Sequence, residues 1–467
     1  MNNQSTNQTH LTFSDTLGAS VSNNMNQALL ELEALKTAEG VKDRINLVIE
    51  FETQEEWSNN LEQTRNLQKL KFKLYKKLLE DIERQYTRED GKILFQVPST
   101  HAHDFLAFLI ERLADKSSKL SQLDIEYVII DIPSTIDTDN NPNGIMAAYQ
   151  ELIDKSSGVE RFIQIVDYTE PLSSFIKTKE GKANFGAILS YYEEKTREFT
   201  REKPKLRLYF PTQKQAEDEN LSLEEFYALY ERACSIDWGR IKDANEQLAE
   251  LFREYDEVEI SGANADIRFD ISGMGARNST IESNYPGTEV FSAPTINGTN
   301  GWIKYSNEIF MTAINERVKG LMLRFKDGLL EEVDIDKGAY NEEEYNRLIN
   351  ELKEKLFKTE ANRRLGELAF GTNFFIPAGT KHRLLGEKAI GMHIAIGNSY
   401  LYPEVNNGNK GADYHMDLIR SINDGSIVKF KKKSGEEMVI MNNGEFTNEA
   451  TPKLFKYQQE IKKLHNQ

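Results

Sequence analysis

The sequence predicts an α/β N-terminal domain followed by an α+β C-terminal domain. The chain has 467 residues, more than the roughly 250–300 at which a single hydrophobic core usually stops growing. Up to about residue 255, short β-branched runs alternate with helical stretches, as in a largely parallel sheet. Beyond it, strand pairs joined by Asp-Gly and Ser-Gly turns indicate antiparallel hairpins. We expect a polar tail and N-terminal helix over 1–87, the α/β domain over 88–255 and the α+β domain over 256–467.

The composition limits the possible partners and the compartment. With 58 Lys and Arg against 75 Asp and Glu, the net charge of −17 repels nucleic-acid phosphates and anionic membranes. No apolar run approaches the roughly 18 residues of a membrane span, and the start of the chain lacks the pattern of a secretory signal. A single cysteine, Cys234, excludes internal disulfides and multi-cysteine zinc sites. We therefore expect a cytoplasmic protein that binds neither nucleic acid nor membrane.

The first domain begins with a helix and continues as alternating strands and helices. Apolar residues at helical spacing between 55 and 87 predict an amphipathic helix that packs on the body of the protein. The run KILFQV is apolar and of strand length, and Ser99 or Thr100 can cap the helix after it. Further strands are predicted in IEYVIIDI (125–132), FIQIV (162–166) and KLRLYFP (205–211).

A helical stretch ends the first domain, and hairpins dominate the second. Ser222 and Glu225 have the spacing of a capping box, and helical character continues to about residue 255. In the second domain, GLMLRFKDGLLEEVDI and SIVKFKKKSGEEMVIMNNGEF each predict strands joined by a tight turn. Apolar residues from Tyr345 to Leu356 predict an amphipathic helix between these two segments.

Common short catalytic signatures are missing from the sequence. It contains no His-Glu-x-x-His, no Gly-x-Ser-x-Gly and no Walker loop. The acidic loops at 137–144 and 334–344 lack the glycine and glutamate spacing of a calcium loop, and we interpret both as turns. His101 and His103 fall in the first turn of a predicted helix and point to different faces, which indicates surface or packing roles.

Five residues of the second domain combine oxygen and imidazole ligands. Glu289 follows a Pro-Gly turn and Glu367 precedes an apolar run, where an acid is costly to bury unless it is paired or bound to a cation. His393 lies inside an apolar, strand-like run, and His415 precedes Asp417 by two residues. Such a set suits zinc, manganese or cobalt, and five or six ligands are enough for a two-metal site. Taken singly, each acid is also compatible with a hydrogen-bonded structural role.

The segments that carry these residues resemble the sequence blocks of a known family. YPGTEVFSAP, RRLGELAFGTN, MHIAIGNSY and YHMD are similar to the four blocks of the thermophilic-type metalloaminopeptidases, peptidase family M29, the group of aminopeptidases T and S. The resemblance extends over residues 88–445 and is stronger in the second half. It implies that the α+β domain is the catalytic, metal-binding domain.

The resemblance also implies an activity and a set of site residues. The activity would be hydrolysis of N-terminal residues from short peptides, by a water that two divalent ions of zinc, cobalt or manganese activate. The implied metal ligands are Glu289, Glu367, His393, His415 and Asp417. Tyr400 would act at or near the ions, and Glu367 or Glu289 would pass a proton to the leaving amine. A homodimer that encloses its active sites in a cavity is implied as well.

Departures from the family pattern occur at two places, and two other functions stay open. Thr288 precedes Glu289 where the family usually has glycine, and LGEK around Glu387 replaces an Asp-Glu-Asn segment, where contacts to the substrate are expected. One open alternative is a mononuclear iron ring-cleaving dioxygenase of the same fold, with a His-His-Asp site. The other is a non-catalytic binding or scaffold protein. Retention of both Glu289 and Glu367 favours the two-metal peptidase.

Overall fold

The computed structural model describes residues 54–86, 91–130, 150–155, 158–166 and 205–465. Three features of the sequence analysis lie outside the described residues. They are the expected polar tail before residue 54, the acidic loop at 137–144 and the side chains of His101 and His103. Within them, no helix is both long and apolar enough to cross a membrane.

The elements of the N-terminal half alternate as the sequence predicts. The helices are α1 (Gln54–Gln85), α2 (Ser99–Ala114), α3 (Gln213–Asp218), α4 (Leu223–Cys234) and α5 (Trp238–Glu254). The strands are β1 (Lys92–Pro98), β2 (Ile125–Ile130), β3 (Val159–Val166) and β4 (Lys205–Tyr209).

Strands predominate in the C-terminal half. They are β5 (Glu257–Gly262), β6 (Ala265–Asp270), β7 (Arg277–Thr280), β8 (Asn284–Tyr285), β9 (Thr288–Ser292), β10 (Thr299–Lys304), β11 (Glu308–Met311), β12 (Glu316–Lys319), β13 (Met322–Lys326), β14 (Leu329–Asp334), β15 (Leu365–Gly371), β16 (Gly391–Gly397), β17 (His415–Arg420), β18 (Ile427–Lys431), β19 (Glu437–Asn442) and β20 (Glu445–Phe446). The helices are α6 (Glu342–Leu356), α7 (Arg383–Lys388) and α8 (Pro452–His465).

The first sheet is parallel and the later sheets are antiparallel, which confirms the predicted fold class. The parallel sheet has the order β2-β1-β3-β4-β8, and its last strand comes from the C-terminal half. An eight-stranded antiparallel sheet has the order β14-β13-β10-β6-β5-β18-β19-β20. A five-stranded antiparallel sheet has the order β17-β16-β15-β9-β7 and carries the candidate site. The strands β11 and β12 form a separate hairpin.

Local sequence signals explain where several elements begin and turn. Asp327 and Gly328 both have positive φ between β13 and β14, as a two-residue hairpin turn requires. The predicted capping box is present, because Ser222 Oγ accepts the Glu225 N–H and the Glu225 carboxylate accepts the Ser222 N–H. The helical stretch that was expected to run to residue 255 is broken into α4 and α5, since Asp237 caps the start of a second helix.

The acidic loop at 334–344 is a structural turn, as the sequence interpretation had it. Asp334 accepts the Tyr345 hydroxyl at 2.7 Å, and Asp336 accepts the Gly338 N–H at 3.0 Å. Asn341 caps α6 by accepting the Glu344 N–H. The oxygens of the loop are therefore engaged in holding the turn and the helix.

Helix α1 is built into the core of the N-terminal half. Leu74, Leu78 and Ile82 are buried, as expected for the amphipathic spacing. The buried carboxylate of Asp81 accepts hydrogen bonds from Trp238 Nε1 at 2.9 Å and from the Tyr285 hydroxyl at 2.8 Å. The helix is thereby tied to α5 and to β8, so its polar as well as its apolar contacts hold it in place.

One face of the five-stranded sheet packs against apolar side chains of α5 and of the eight-stranded sheet. Phe370 of β15 lies with its ring centroid 5.9 Å from that of Phe252 on α5. Phe252 in turn meets Phe430 of the eight-stranded sheet at 4.9 Å. Hydrophobic packing fills most of this face, and the five candidate ligands lie on the opposite face.

Candidate metal centre

The five candidate ligands share one face of the five-stranded sheet. Glu289 lies on β9, Glu367 on β15, His393 on β16, and both His415 and Asp417 on β17. Directly opposed residues of antiparallel strands project from the same face, and so do residues two apart on one strand. The registers of these four strands place all five side chains together.

Each candidate ligand has a small residue opposite it on one neighbouring strand, although Ile419 stands opposite His393 on the other. The pairs are Gly371 with Glu289, Ala369 with His393, Ala395 with both Glu367 and Asp417, and Gly397 with His415. Cross-strand neighbours have Cβ atoms only about 5 Å apart, so a large partner would fill the space above each ligand. The alternation of small and polar residues leaves room on this face for the side chains and for a bound group.

The ligand atoms form two clusters that share Glu367. In the first, His393 Nε2 lies 3.7 Å from Glu289 Oε2 and 3.7 Å from Glu367 Oε1. In the second, His415 Nε2 lies 3.0 Å from Glu367 Oε2 and 3.2 Å from Asp417 Oδ1. The ligand atoms of each cluster lie within 4.8 Å of one another. Glu367 thus offers one oxygen to each cluster.

A backbone carbonyl fixes the orientation of His415. Its Nδ1 lies 2.6 Å from the carbonyl oxygen of Asn398, a distance at which Nδ1 carries the proton and donates it. The other nitrogen, Nε2, then faces the carboxylates of Asp417 and Glu367. Burial lowers the pKa of His415, but these two carboxylates raise it well above its ordinary value, so a metal ion would have to displace the proton on Nε2. Histidines that bind metals usually have such a partner on the nitrogen that does not bind.

Burial and opposite charges set the ionisation of the cluster. Burial raises the pKa of Glu367, but His393 and His415 outweigh it and leave the pKa below its ordinary value. Burial lowers the pKa of His393, but Glu367, followed by other carboxylates, raises it to about 9. Metal binding would therefore have to displace a proton from this imidazole, because only the neutral ring is a ligand.

Tyr400 lies against the cluster. Its ring centroid is 4.8 Å from that of His415 and 4.9 Å from that of Phe291. Burial raises the pKa of the Tyr400 hydroxyl well above its ordinary value, and the carboxylates of Glu367 and Asp417 add to the effect. The hydroxyl is consequently protonated at neutral pH and can donate a hydrogen bond.

Helix α7 brings charged residues to the cluster that the sequence analysis had not assigned to it. Lys388 Nζ lies 2.6 Å from Glu289 Oε2 and 3.5 Å from Glu387 Oε2. Arg383 Nη2 lies 3.6 Å from Asp417 Oδ2. The sequence signal was an Arg, a Glu and a Lys within six residues, between two apolar strands. That pattern alone does not distinguish a buried charged helix from an exposed one.

These neighbours change the ionisation of Glu387 and Lys388. Burial, together with the nearby Asp417, raises the pKa of Glu387 to about 7, against the lowering effect of Lys388 and Arg383. Burial also lowers the pKa of Lys388, but the carboxylates of Glu289 and Glu387 raise it above its ordinary value. Lys388 is therefore an ammonium in the metal-free protein.

A buried histidine anchors the start of α7. His382 Nδ1 accepts the Leu385 N–H at 3.3 Å, and its ring packs 5.7 Å from that of Phe226. Burial lowers the pKa of His382 to about 3 from an ordinary value of 6.5, and Arg383 and Arg317 add to this. The ring is therefore neutral in the folded protein above about pH 3.

This burial predicts a pH dependence of stability. Below pH 6.5 the unfolded chain protonates His382, whereas the folded chain stays neutral until about pH 3, so stability falls with pH across that window. At pH 5 the loss from this group is about 2 kcal/mol relative to neutral pH. Denaturant unfolding of wild type and His382→Asn at pH 7.5 and pH 5 measures it, since asparagine can still cap the helix. An equal loss in both proteins would contradict the assignment.

The residues present fit divalent metal ions. The set of three carboxylates and two imidazoles is the borderline oxygen and nitrogen donor set that zinc, manganese and cobalt accept. Glu367 is fully buried, and its Oε1 has no hydrogen-bond partner among the described residues. A buried carboxylate oxygen without a donor is costly unless a cation satisfies it.

Departure from the family pattern at Thr288 is accommodated by side-chain hydrogen bonds. Its hydroxyl lies 2.8 Å from that of Thr372 on one side and accepts a hydrogen bond from Asn245 Nδ2 at 2.9 Å on the other. Its φ is not positive, so a glycine is not needed there. The residue before Glu289 is therefore fixed in the core instead of being a conformational hinge.

Comparison with known proteins gives a family match and a similar fold. The sequence matches the profile of peptidase family M29, described as thermophilic metalloproteases, over residues 189–446. The solved structure of wild-type AmpT from Thermus thermophilus is similar in fold, with a TM-score of 0.59 and 19% sequence identity. That similarity covers 82% of this chain and 99% of the AmpT chain. No curated protein matches the sequence. All five candidate ligands and Tyr400 lie within the matched segment.

Proposed function

The chain belongs to the M29 family of thermophilic metalloproteases, and on this premise we propose that it is an aminopeptidase that removes N-terminal residues from short peptides. The observation that carries the proposal is the position of Glu367, which contributes one oxygen to each of two adjacent ligand clusters. A carboxylate that faces two clusters is the arrangement in which two ions are bridged. A site for one ion would not need it.

Each cluster would hold one divalent ion of zinc, cobalt or manganese. Glu289, Glu367 and His393 would hold the first, and Glu367, His415 and Asp417 the second. Divalent ions bound there would lower the pKa of a bound water and polarise the scissile carbonyl. We propose these five residues as the ligands on the basis of their distances, their burial and their common sheet face.

Two residues of the chain would act on the substrate. Tyr400 keeps its proton at neutral pH, so its hydroxyl is suited to donate a hydrogen bond to the oxygen that becomes negatively charged. Glu367 is ionised and buried between the two histidines. Glu367 or Glu289 would take the proton that the attacking water releases and pass it to the leaving amine. Both roles depend on exclusion of bulk water, which the burial of Glu367 and His393 supplies.

Among the described residues, the cluster is most exposed at His415 and Asp417, where a peptide would approach. The side chains of His415 and Asp417 are 25% and 13% exposed, whereas those of Glu289 and Glu367 are 6% and 1% exposed. Beside them, Leu401 is 85% exposed, next to Tyr400 in the chain. We therefore propose that the peptide approaches past β17 and the loop that carries Leu401.

The remaining features of the proposal come from the sequence. A homodimer and the domain boundaries near residues 87 and 255 are proposed on the family resemblance and on the change of sequence pattern. A cytoplasmic location is proposed on the single cysteine, which fits a reducing compartment. Measurement of the molecular mass in solution tests the dimer. A mass equal to that of a single chain would contradict the proposed dimer.

The experiment that tests the function is a cleavage assay on a mixed pool of short peptides. The protein is loaded in turn with zinc, cobalt or manganese and incubated with each peptide in free-amine and N-acetylated form. We expect stepwise loss of N-terminal residues from the free-amine set alone, abolished by a chelator and restored by the metal. Mass spectrometry of the products also reports which N-terminal residues are preferred.

Two outcomes would contradict the proposal. Internal cleavage, or equal cleavage of the acetylated set, would indicate a peptidase that does not recognise the free amine. No cleavage with any ion would remove the peptidase function from this chain. Oxygen uptake with an aromatic diol and iron would then identify the dioxygenase alternative.

A further inference from the structure

Lys388 places a positive charge of the protein inside the ligand cluster. The residue is only 2% exposed, and its Nζ lies 2.6 Å from Glu289 Oε2. A buried ammonium needs carboxylate partners, and those of Lys388 are Glu289 and Glu387. One of its partners is thus a proposed metal ligand.

The ammonium contacts the same oxygen that faces the metal cluster. Glu289 Oε2 is the atom 3.7 Å from His393 Nε2 and the atom 2.6 Å from Lys388 Nζ. An ion held by Glu289 and His393 would have to share that oxygen with the ammonium. Like charges that share one ligand atom in a buried site oppose each other strongly.

The second cluster has no equivalent competitor among the described residues. Its nearest guanidinium, that of Arg383, lies 3.6 Å from Asp417 Oδ2. The oxygen of Asp417 that faces His415 is the other one, Oδ1, at 3.2 Å. The side chain of Arg383 is also 33% exposed, so solvent screens its charge more than that of Lys388.

The charges at the site balance one divalent ion better than two. Four carboxylates converge there, those of Glu289, Glu367, Glu387 and Asp417. Lys388 and Arg383 neutralise two of them, which leaves two negative charges when both histidines are neutral and Glu387 is ionised. One divalent ion cancels these, and a second leaves the buried site with an excess of positive charge until a hydroxide or substrate arrives.

We propose that Lys388 is a positioning residue that makes the two metal sites unequal. The site of Glu367, His415 and Asp417 binds its ion first and tightly. The site of Glu289, Glu367 and His393 binds its ion second and weakly, because Lys388 holds Glu289. The inference rests on the proposed two-metal function and adds the order in which the ions bind.

Titration of the metal-free protein with zinc tests this order. Competition with a chromophoric chelator gives the number of ions bound and the affinity of each step, without reference to activity. We expect wild type to bind one ion tightly and a second at least tenfold more weakly. Lys388→Met should strengthen the second step at least tenfold, because the ion no longer shares Glu289 with a cation. Lys388→Arg keeps the charge and should keep the wild-type gap.

Lys410→Met, a change at an exposed lysine, serves as the matched control and should bind zinc as wild type does. Two steps of equal affinity in wild type would overturn the inference, and this measurement does not depend on any variant folding. An unchanged gap in folded Lys388→Met would overturn it as well. Unequal binding without peptide cleavage would leave the inference standing and remove the proposed function. Peptide cleavage together with two binding steps of equal affinity would support the proposed function and overturn the inference.

Discussion

Glu367→Gln is expected to retain the fold and to lose at least about 100-fold in kcat/KM on peptides. Changes to residues that only support metal ligands already cost about 10- to 100-fold, and Glu367 faces both clusters directly. The amide has nearly the same shape but no charge and only one carbonyl oxygen, so the two clusters lose their shared anionic ligand while the buried space stays filled. Peptide cleavage and zinc content of the purified variant measure the effect.

A matched control separates this loss from a general effect of removing a glutamate. Glu331→Gln changes an exposed acid on β14, outside the cluster, and should leave cleavage within about twofold of wild type. Circular dichroism of the two variants should be the same. Full activity of Glu367→Gln with two bound ions would remove Glu367 from both its ligand and its proton-transfer roles.

Removal of the metal ions should lower the thermal stability of the protein by a measurable amount. An ion that binds only the folded chain stabilises it by about 4 kcal/mol when its free concentration is 1,000 times its Kd. The gain arises because the ligands come from β9, β15, β16 and β17, and the unfolded chain does not hold them together. Calorimetry of metal-loaded and chelated protein should therefore give a midpoint several degrees lower for the chelated form.

The variant Glu367→Gln gives the control for this shift. Its midpoint should depend much less on the metal, because it lacks the ligand that the clusters share. A chelator already saturated with zinc should leave wild type unchanged. Identical melting curves for loaded and chelated wild type would mean that these residues do not bind ions in the folded protein.

Much of the fold follows from local signals in the sequence. The hairpin between β13 and β14 was predicted because Asp327 and Gly328 favour a turn with positive φ, whatever the rest of the chain does. The capping box at Ser222 is equally local. The break before α5 could also have been found, since Asp237 stands where an N-cap is favourable. Continuous apolar spacing on both sides of it hid this signal.

The remaining features depend on contacts between residues that are distant in sequence. Nothing in the residues around Lys388 indicates that its ammonium is buried, because the burial results from packing of α7 beside β9, β15 and β16. The strand β8 has two residues, too few for a periodic pattern. The common face of the ligands depends on the registers of three strand pairs, which the sequence blocks do not specify.

The short strand β8 links the two halves of the chain, so the chain cannot be cut between them without loss of a strand pairing. Asn284 and Tyr285 lie 30 residues beyond α5, yet they pair with Arg207 and Leu208 at the edge of the parallel sheet. A fragment that ended at residue 255 would lack β8, so the edge strand β4 would be unpaired and prone to aggregation. A fragment that began at residue 255 would contain β8 without the sheet that it pairs with. Recombination at this apparent junction would therefore separate two pieces that complete each other. The half that carries the candidate ligands is therefore expected to fold only together with the sheet that it closes.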